Sequence, residues 1–419
     1  MDASKHVVEK KHGWTQFADG YLEKTPIFQF ILISLIFPLW GAAASLNDIL
    51  ITQFKSVFML NDAATAFVQS AFYGGYFLIA IPASLVIKKQ SYKFAIMTGL
   101  IFYIVGCAMF FPASRVATYT MFLAAIFAIA VGLSFLETSC DTYSSMLGPR
   151  KFANIRLNIS QTLVPLGDMA GIILGKYLIF GSVGNLSETM SHMHGAERIA
   201  YGEKMLQLTL QPYKYILVVL IAILIILAIT PMPKSKAVSL KEEEASSPSL
   251  IETIKYLAKN YRFKKGIMAQ FFYVGMQTTV WSFTIRLALN LNTSISDSDA
   301  STFMIYSYAA WFVGKLCANF LMKDHSVTGI LTIFSALGTV TLILATTIPN
   351  MTAVWMAIAA SFFFGPEWPT IYAHTLDTIE DKRFTETGGA IIVMAIVGGA
   401  VIPAIQGLVS DMTGSMQTS

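Results

Sequence analysis

Charge is the scarce ingredient of this sequence. Asp, Glu, Lys and Arg make up 13% of its 419 residues, about half the ~25% usual in a soluble domain. Basic and acidic residues nearly cancel, at a net charge of +4, and no basic tract is interleaved with stacking aromatics. That excludes nucleic acid as a partner. The three cysteines, Cys107, Cys140 and Cys317, sit in apolar runs without metal-ligand spacing, so neither a disulfide framework nor a metal site is expected. The polar N-terminal stretch has no short apolar core with a cleavage site, so no signal peptide is read there. A Gly-Lys-Ser nucleotide loop is also lacking, which argues against ATP-driven chemistry. No nucleophile–base pair accompanies the acids, so no catalytic residue and no cofactor are expected, and an enzyme is disfavoured.

Apolar residues are what is present, at 55% of the chain and a mean hydropathy of +0.59. Eleven segments are long enough to cross a bilayer, near 27–50, 63–87, 94–113, 119–147, 157–181, 212–230, 266–290, 301–322, 327–347, 351–376 and 387–408. The fold class is therefore an all-α polytopic membrane protein. Pro165, Pro366, Pro369 and Pro403 fall inside spans and predict kinks. Gly74–Gly75, Gly388–Gly389 and Gly398–Gly399 predict close helix approach.

Lys and Arg set the expected orientation. With the N-terminus inside, the inner loops receive Lys5, Lys10, Lys11, Lys24, Lys88, Lys89, Lys93, Arg150, Lys151, Arg156 and the basic residues of 231–265. The outer side receives only Lys55, Arg115, Lys176, Arg198, Lys204 and Lys214. The N-terminus is predicted to be cytoplasmic. Residues 1–26 form an N-terminal segment, 27–230 a six-span half, 231–265 a cytoplasmic linker, and 266–419 a second half with five visible spans. Within the linker, PMPKSKAVSLKEEEASSPS has linker composition, and IETIKYLAKNYRFKK reads as an interfacial helix. A six-plus-six split by a polar linker is the plan of a transporter built from two parallel repeats.

The span 119–147 organises the rest. Glu137 lies near its middle and Asp141 one turn later, on the same face. A carboxylate at that depth is expensive, so it faces a partner, a cavity or a water path. Asp48, beside Asn47 near the outer end of the first span, is either an interfacial acid in water or a second protonation site. Asp168 and Glu367 are further acids, each either functional or paired with Lys315 or Arg286. Asn158 and Gln161 share a face of the fifth span. Gln270, Tyr273, Gln277 and Trp281 form one stripe along the seventh. Amides and a phenol beside a flat indole suit a neutral polyol, whose hydroxyls take hydrogen bonds while its apolar face lies on the ring. Interhelical packing is the alternative for the same stripe.

Seven stretches resemble the fucose–galactose–glucose:proton symporter branch of the major facilitator superfamily, and within it the L-fucose permeases. They are SLNDILITQF (45–54), residues 68–100, GLSFLET (132–138), RLNISQT (156–162), residues 269–286, PEWPTIY (366–372) and residues 398–411. The resemblance implies the superfamily's fold of two six-helix halves and proton-coupled uptake of a hexose, L-fucose first, by a monomer in the plasma membrane. It assigns sugar contact and protonation to Asp48, proton coupling to Glu137, and sugar contact to Gln161, Gln277 and Trp281. Asp141 is added to the proton-coupling acids. Asn47, Asn158, Tyr273 and Glu367 are added to the expected sugar contacts. Its twelfth span is not visible after Gly407, where the chain reads LVSDMTGSMQTS.

Departures from the family are specific. Asp141 and Thr142 stand where an Asn-Pro pair usually follows LET, which adds an acid and removes a kink. Val164 replaces a polar Asn, Lys315 an Arg, and Glu367 a Gln. Another neutral sugar (glucose or galactose) or a nucleoside therefore remains open as substrate, as does a non-transporting membrane sensor.

Overall fold

A computed structural model describes residues 7–57, 62–116, 119–178, 193, 195–236, 248–292, 294–295, 297–414 and 417. The chain opens on a hairpin of β1 (Val7–Lys11) and β2 (Trp14–Phe17), paired antiparallel. Its two-residue turn places both His12 (φ 50°) and Gly13 (φ 84°) in the left-handed region, as the twist of such a hairpin requires. No strand is anticipated from the sequence here, although the His-Gly pair is a turn signal.

The first half follows. It contains α1 (Ile27–Ser34), α2 (Phe37–Val57), α3 (Asp62–Lys89), α4 (Tyr92–Val116) and α5 (Tyr119–Met146). After a 3-10 turn at Arg150–Phe152 come α6 (Ala153–Gln161), α7 (Val164–Leu178), α8 (Gly195–Thr209) and α9 (Gln211–Ile229). The second half contains α10 (Leu250–Lys259), α11 (Tyr261–Leu291), α12 (Asp297–Asp324), α13 (Val327–Thr347), α14 (Thr352–Phe363), α15 (Glu367–Asp377), α16 (Thr385–Met394) and α17 (Gly398–Thr413). Among the described residues, eight stretches are long and apolar enough to cross a membrane. The segments expected at 266–290, 301–322 and 351–376 are helical too, but α11 and α12 carry amides and Lys315, and α14 and α15 are separate.

Proline explains three breaks. A proline has no N–H, and its ring clashes with the carbonyl four residues back. Pro38 thus parts α1 from α2 after Ser34, whose Oγ instead meets Ser160 Oγ at 2.8 Å. Pro165 parts α6 from α7, and Pro366 parts α14 from α15. Pro403, by contrast, lies inside an unbroken α17. The break between α16 and α17, a 3-10 turn at Ala395–Val397, occupies in the second half the place that the α6–α7 break occupies in the first. The span α5 runs without interruption through Asp141 and Thr142, where no proline stands.

Glycines let the spans touch. A Cβ on Gly167 would fall on the Pro38 carbonyl, locking α7 to α2, and one on Gly398 would fall on the Phe271 carbonyl, locking α17 to α11. The linker helix is shorter than expected. Ser249 and Glu252 form a reciprocal capping box at its start, and it ends at Lys259. Asn260 then caps α11 through Phe263 N, so YRFKK belongs to the seventh span.

One end of the bundle gathers the hairpin and the linker. Gln16 bonds Lys236 O and Ser235 N, each at 3.0 Å, and Tyr143 OH donates to Pro233 O at 2.6 Å. Arg150 and Asp377 lie at this end as well, which is called the linker face below. The halves meet through α16 on α3 and α5, α15 on α6, and α12 on α6 and α7. Large apolar side chains such as Ile225, Ile229 and Phe320 face outward from the bundle, as lipid-facing positions do.

Candidate functional site

The site lies where α5 and α6 of the first half meet α12 and α15 of the second. Every residue of α5 from Ile129 to Met146 is buried, so both its acids are enclosed. Asp141, 0% exposed, accepts from Gln161 Nε2 at 2.8 Å and from Trp368 Nε1 of the other half at 3.4 Å. Glu137, one turn earlier, has the Tyr76 hydroxyl of α3 as a near neighbour. The spacing of four thus brings the acids together as expected, yet gives them different partners.

Around them the halves are stitched by neutral groups. Thr142 Oγ1 and Tyr372 OH are 2.7 Å apart. Asn158 Nδ2 donates to Thr370 Oγ1 at 3.3 Å, and Asn319 Nδ2 to Thr162 Oγ1 at 2.7 Å. Nearer the linker face, Ser84 donates to Thr387 at 3.4 Å, and Arg150 Nη2 meets Asp377 Oδ1 at 2.8 Å. Partial burial works to raise the Asp377 carboxyl, but the Arg150 hydrogen bond and the nearby Lys382 hold it below its ordinary value.

An aromatic wall stands on the second half. Trp281 lies against Tyr308 and Trp311 with centroids 4.8 and 4.9 Å away, and its Nε1 donates to Ser361 Oγ at 3.1 Å. Tyr273 OH and Trp311 Nε1 both donate to Phe364 O, at 3.0 and 3.3 Å. That carbonyl precedes the Pro366 break, where the regular helical ladder is interrupted. Of the expected α11 stripe, Tyr273 and Trp281 meet this wall, Tyr273 through the Phe364 carbonyl.

Several buried polar atoms here have no partner: Gln277 Nε2, Thr138 Oγ1, Asn319 Oδ1 and Lys315 Nζ. Gln270, fully buried, has neither amide atom bonded. Unbonded buried donors and acceptors are costly, and a hydroxyl-rich guest is the kind of molecule that satisfies both kinds. Sequence reasoning passed over Trp311, Asn319 and Trp368. Trp311, Lys315 and Asn319 recur every fourth residue, a stripe that the same test used on α11 finds.

Other expected contacts are placed elsewhere. Asn47 is buried inside the first half, lining a cavity of about 10 Å³ with Phe72, Phe110 and Tyr213. Glu367 is buried on α15, where Ser335 Oγ of α13 donates to its Oε1 at 2.6 Å. Asp48 belongs to α2, but its side chain lies outside the described residues.

Residues 27–403 match the family model of the Major Facilitator Superfamily. The chain is 30% identical over 402 residues to the L-fucose-proton symporter of Escherichia coli (strain K12), covering 96% of this chain and 91% of that one. It is 32% identical over 399 residues to the L-fucose-proton symporter of Haemophilus influenzae, covering 93% and 90%. A glucose/galactose transporter of Brucella abortus is 29% identical over 391 residues, covering 92% and 89%. Among solved structures, the transporter FucP in the outward conformation superposes with a TM-score of 0.83 at 30% identity, covering 94% of each chain.

Proposed function

The chain belongs to the Major Facilitator Superfamily, and on that premise we propose that it is a proton-coupled symporter importing a neutral hexose, L-fucose first. The observation that carries the reading is the pair of enclosed acids on α5. Glu137 and Asp141 lie one turn apart at the seam between the halves, opposite a wall of indoles and amides. The acids suit protons, and the wall suits a polyol. Relatives named L-fucose-proton symporters, of nearly the same length, support this choice.

In this reading the linker face is cytoplasmic, as the Lys and Arg distribution favours, and the protein acts as a monomer in the plasma membrane. The hydrogen bonds between halves, from Arg150–Asp377 to Asn319–Thr162, then close the cytoplasmic side. Sugar and proton enter from outside, the halves rock, and both leave inside. Glu137 and Asp141 carry the proton chemistry, with Asp48 toward the outside. Gln161, Asn158, Tyr273, Gln277 and Trp281 bound the sugar. One proton falling through ~100 mV releases about 2.3 kcal/mol, enough for a roughly 40-fold sugar gradient.

The test is the external pH of weakly buffered cells on adding L-fucose, D-glucose or D-galactose. Alkalinisation with L-fucose alone is the expected result. Alkalinisation with glucose or galactose instead would favour a second reading, to which the named glucose/galactose relative points. Sugar entry without any pH change would overturn proton coupling.

A further inference from the structure

Lys315 is a demanding group among the described residues. It sits on α12 at 2% exposure, its Nζ has no hydrogen-bond partner, and it lies 4.6 Å from the centre of the Trp311 ring. Nor has its helix room to move. A Cβ on Gly314 would fall on the Phe362 carbonyl, and one on Gly365 would lie 2.6 Å from Lys315 N. A cation held this way needs a counter-charge, because a π face alone does not replace its lost hydration.

The nearby acid is in the other half. Trp368, one turn beyond Gly365, donates to Asp141 Oδ2, which brings Asp141 to the strip that Lys315 abuts. Among the described residues, Asp141 is the acid whose charge acts most on Lys315, followed by Asp168. Lys315 is in turn the basic group that acts on Asp141. Asp141 also has a like charge, Glu137, one turn along its own helix. We propose that Asp141 and Lys315 are each other's counter-ion, a charge pair spanning the two halves that makes Lys315 a positioning residue for the acids of the site. The proposal uses the transport reading above only for what it says about function; the pair itself is a statement about burial.

The experiment compares Asp141→Asn, Lys315→Met, the double variant and Lys315→Arg. Two readouts are taken: the melting temperature of purified protein, and exchange of labelled L-fucose, D-glucose or D-galactose in vesicles at equal sugar on both sides, which needs no net proton movement. Asn keeps one acceptor oxygen, for Gln161 or Trp368 but not both, and Met keeps the aliphatic stem on Trp311. Each single variant leaves one buried charge alone, so each should melt lower and exchange at least tenfold more slowly. The double variant should recover most of both losses, and Lys315→Arg should stay near the wild type.

A double variant no better than the worse single, harmless singles, or an arginine variant as damaged as Lys315→Met would each overturn the pair. Recovery by Asp168→Asn with Lys315→Met, but not with Asp141→Asn, would overturn it in favour of Asp168. If the singles cannot be purified, recovery of folded protein in the double supports the pair, and its failure beside a sound Lys315→Arg overturns it. A wild type that exchanges none of the sugars defeats the transport reading instead, and melting alone then decides the pair.

Discussion

The hydroxyls of Thr142 on α5 and Tyr372 on α15 lie 2.7 Å apart, joining the halves directly, and Gly389 of α16 is packed against both. A Cβ at position 389 would come within 2.5 Å of Thr142 Oγ1 and 2.6 Å of Tyr372 OH. Gly389→Ala should therefore prise three helices apart at the seam, lowering the melting temperature and slowing sugar exchange. Tyr372→Phe should be milder, near 1 kcal/mol, because Thr142 Oγ1 keeps its bond to Thr138 O. An alanine variant that melts and exchanges like the wild type would show that this contact is dispensable.

Glu137→Gln keeps the size and polarity of the side chain but removes a group able to carry a proton. Sugar exchange should persist while sugar-driven alkalinisation disappears. Accumulation should fall from the roughly 40-fold limit set by ~100 mV to no gradient. Unchanged coupling would remove Glu137 from the proton path.

Asp377 makes a prediction about acid. Its carboxyl is held below the ordinary value, with partial burial opposing and Arg150 and Lys382 prevailing. A depressed folded-state value adds stability above the unfolded value, ~3.9, and that stability is lost as pH falls through the folded value. Melting of wild type and Asp377→Asn should differ by a constant amount above about pH 5 and converge as pH falls from there through the lower folded value. The gap should be small, since Asp377 is 60% exposed in this bridge. A gap that widens in acid would contradict the assignment.

Gly314→Ala tests the contact behind Lys315. The added Cβ meets the Phe362 carbonyl, which is backbone and cannot rotate away. Overpacking of this kind costs about 1–3 kcal/mol, so the purified variant should melt measurably lower. Chemical denaturation gives the same quantity independently.

Span positions were readable because apolar length is a direct consequence of bilayer thickness: the stretch expected at 119–147 is α5, Tyr119–Met146. Kinks at Pro165 and Pro366 were readable for an equally local reason, the missing N–H. The α1–α2 break was not anticipated, although Pro38 carries the same signal. Also missed were the N-terminal hairpin and α8, because their stability comes from docking rather than from any periodic apolar face.

Within the site, the spacing of Glu137 and Asp141 announced a shared face. It could not announce that Trp368 would reach Asp141, since that depends on how two halves far apart in sequence come together. The same limit applies to Glu367. Its bond to Ser335 depends on how α13 packs against α15.

The carbonyl of Phe364 has a mechanical meaning. It holds Tyr273 and Trp311 by hydrogen bonds, while Trp368, four residues on, holds Asp141. The turn at 364–368 is thus a lever with one arm on the aromatic wall and the other on the acid. Because both arms belong to one short turn, a displacement of that turn would be felt at the wall and at the carboxylate together.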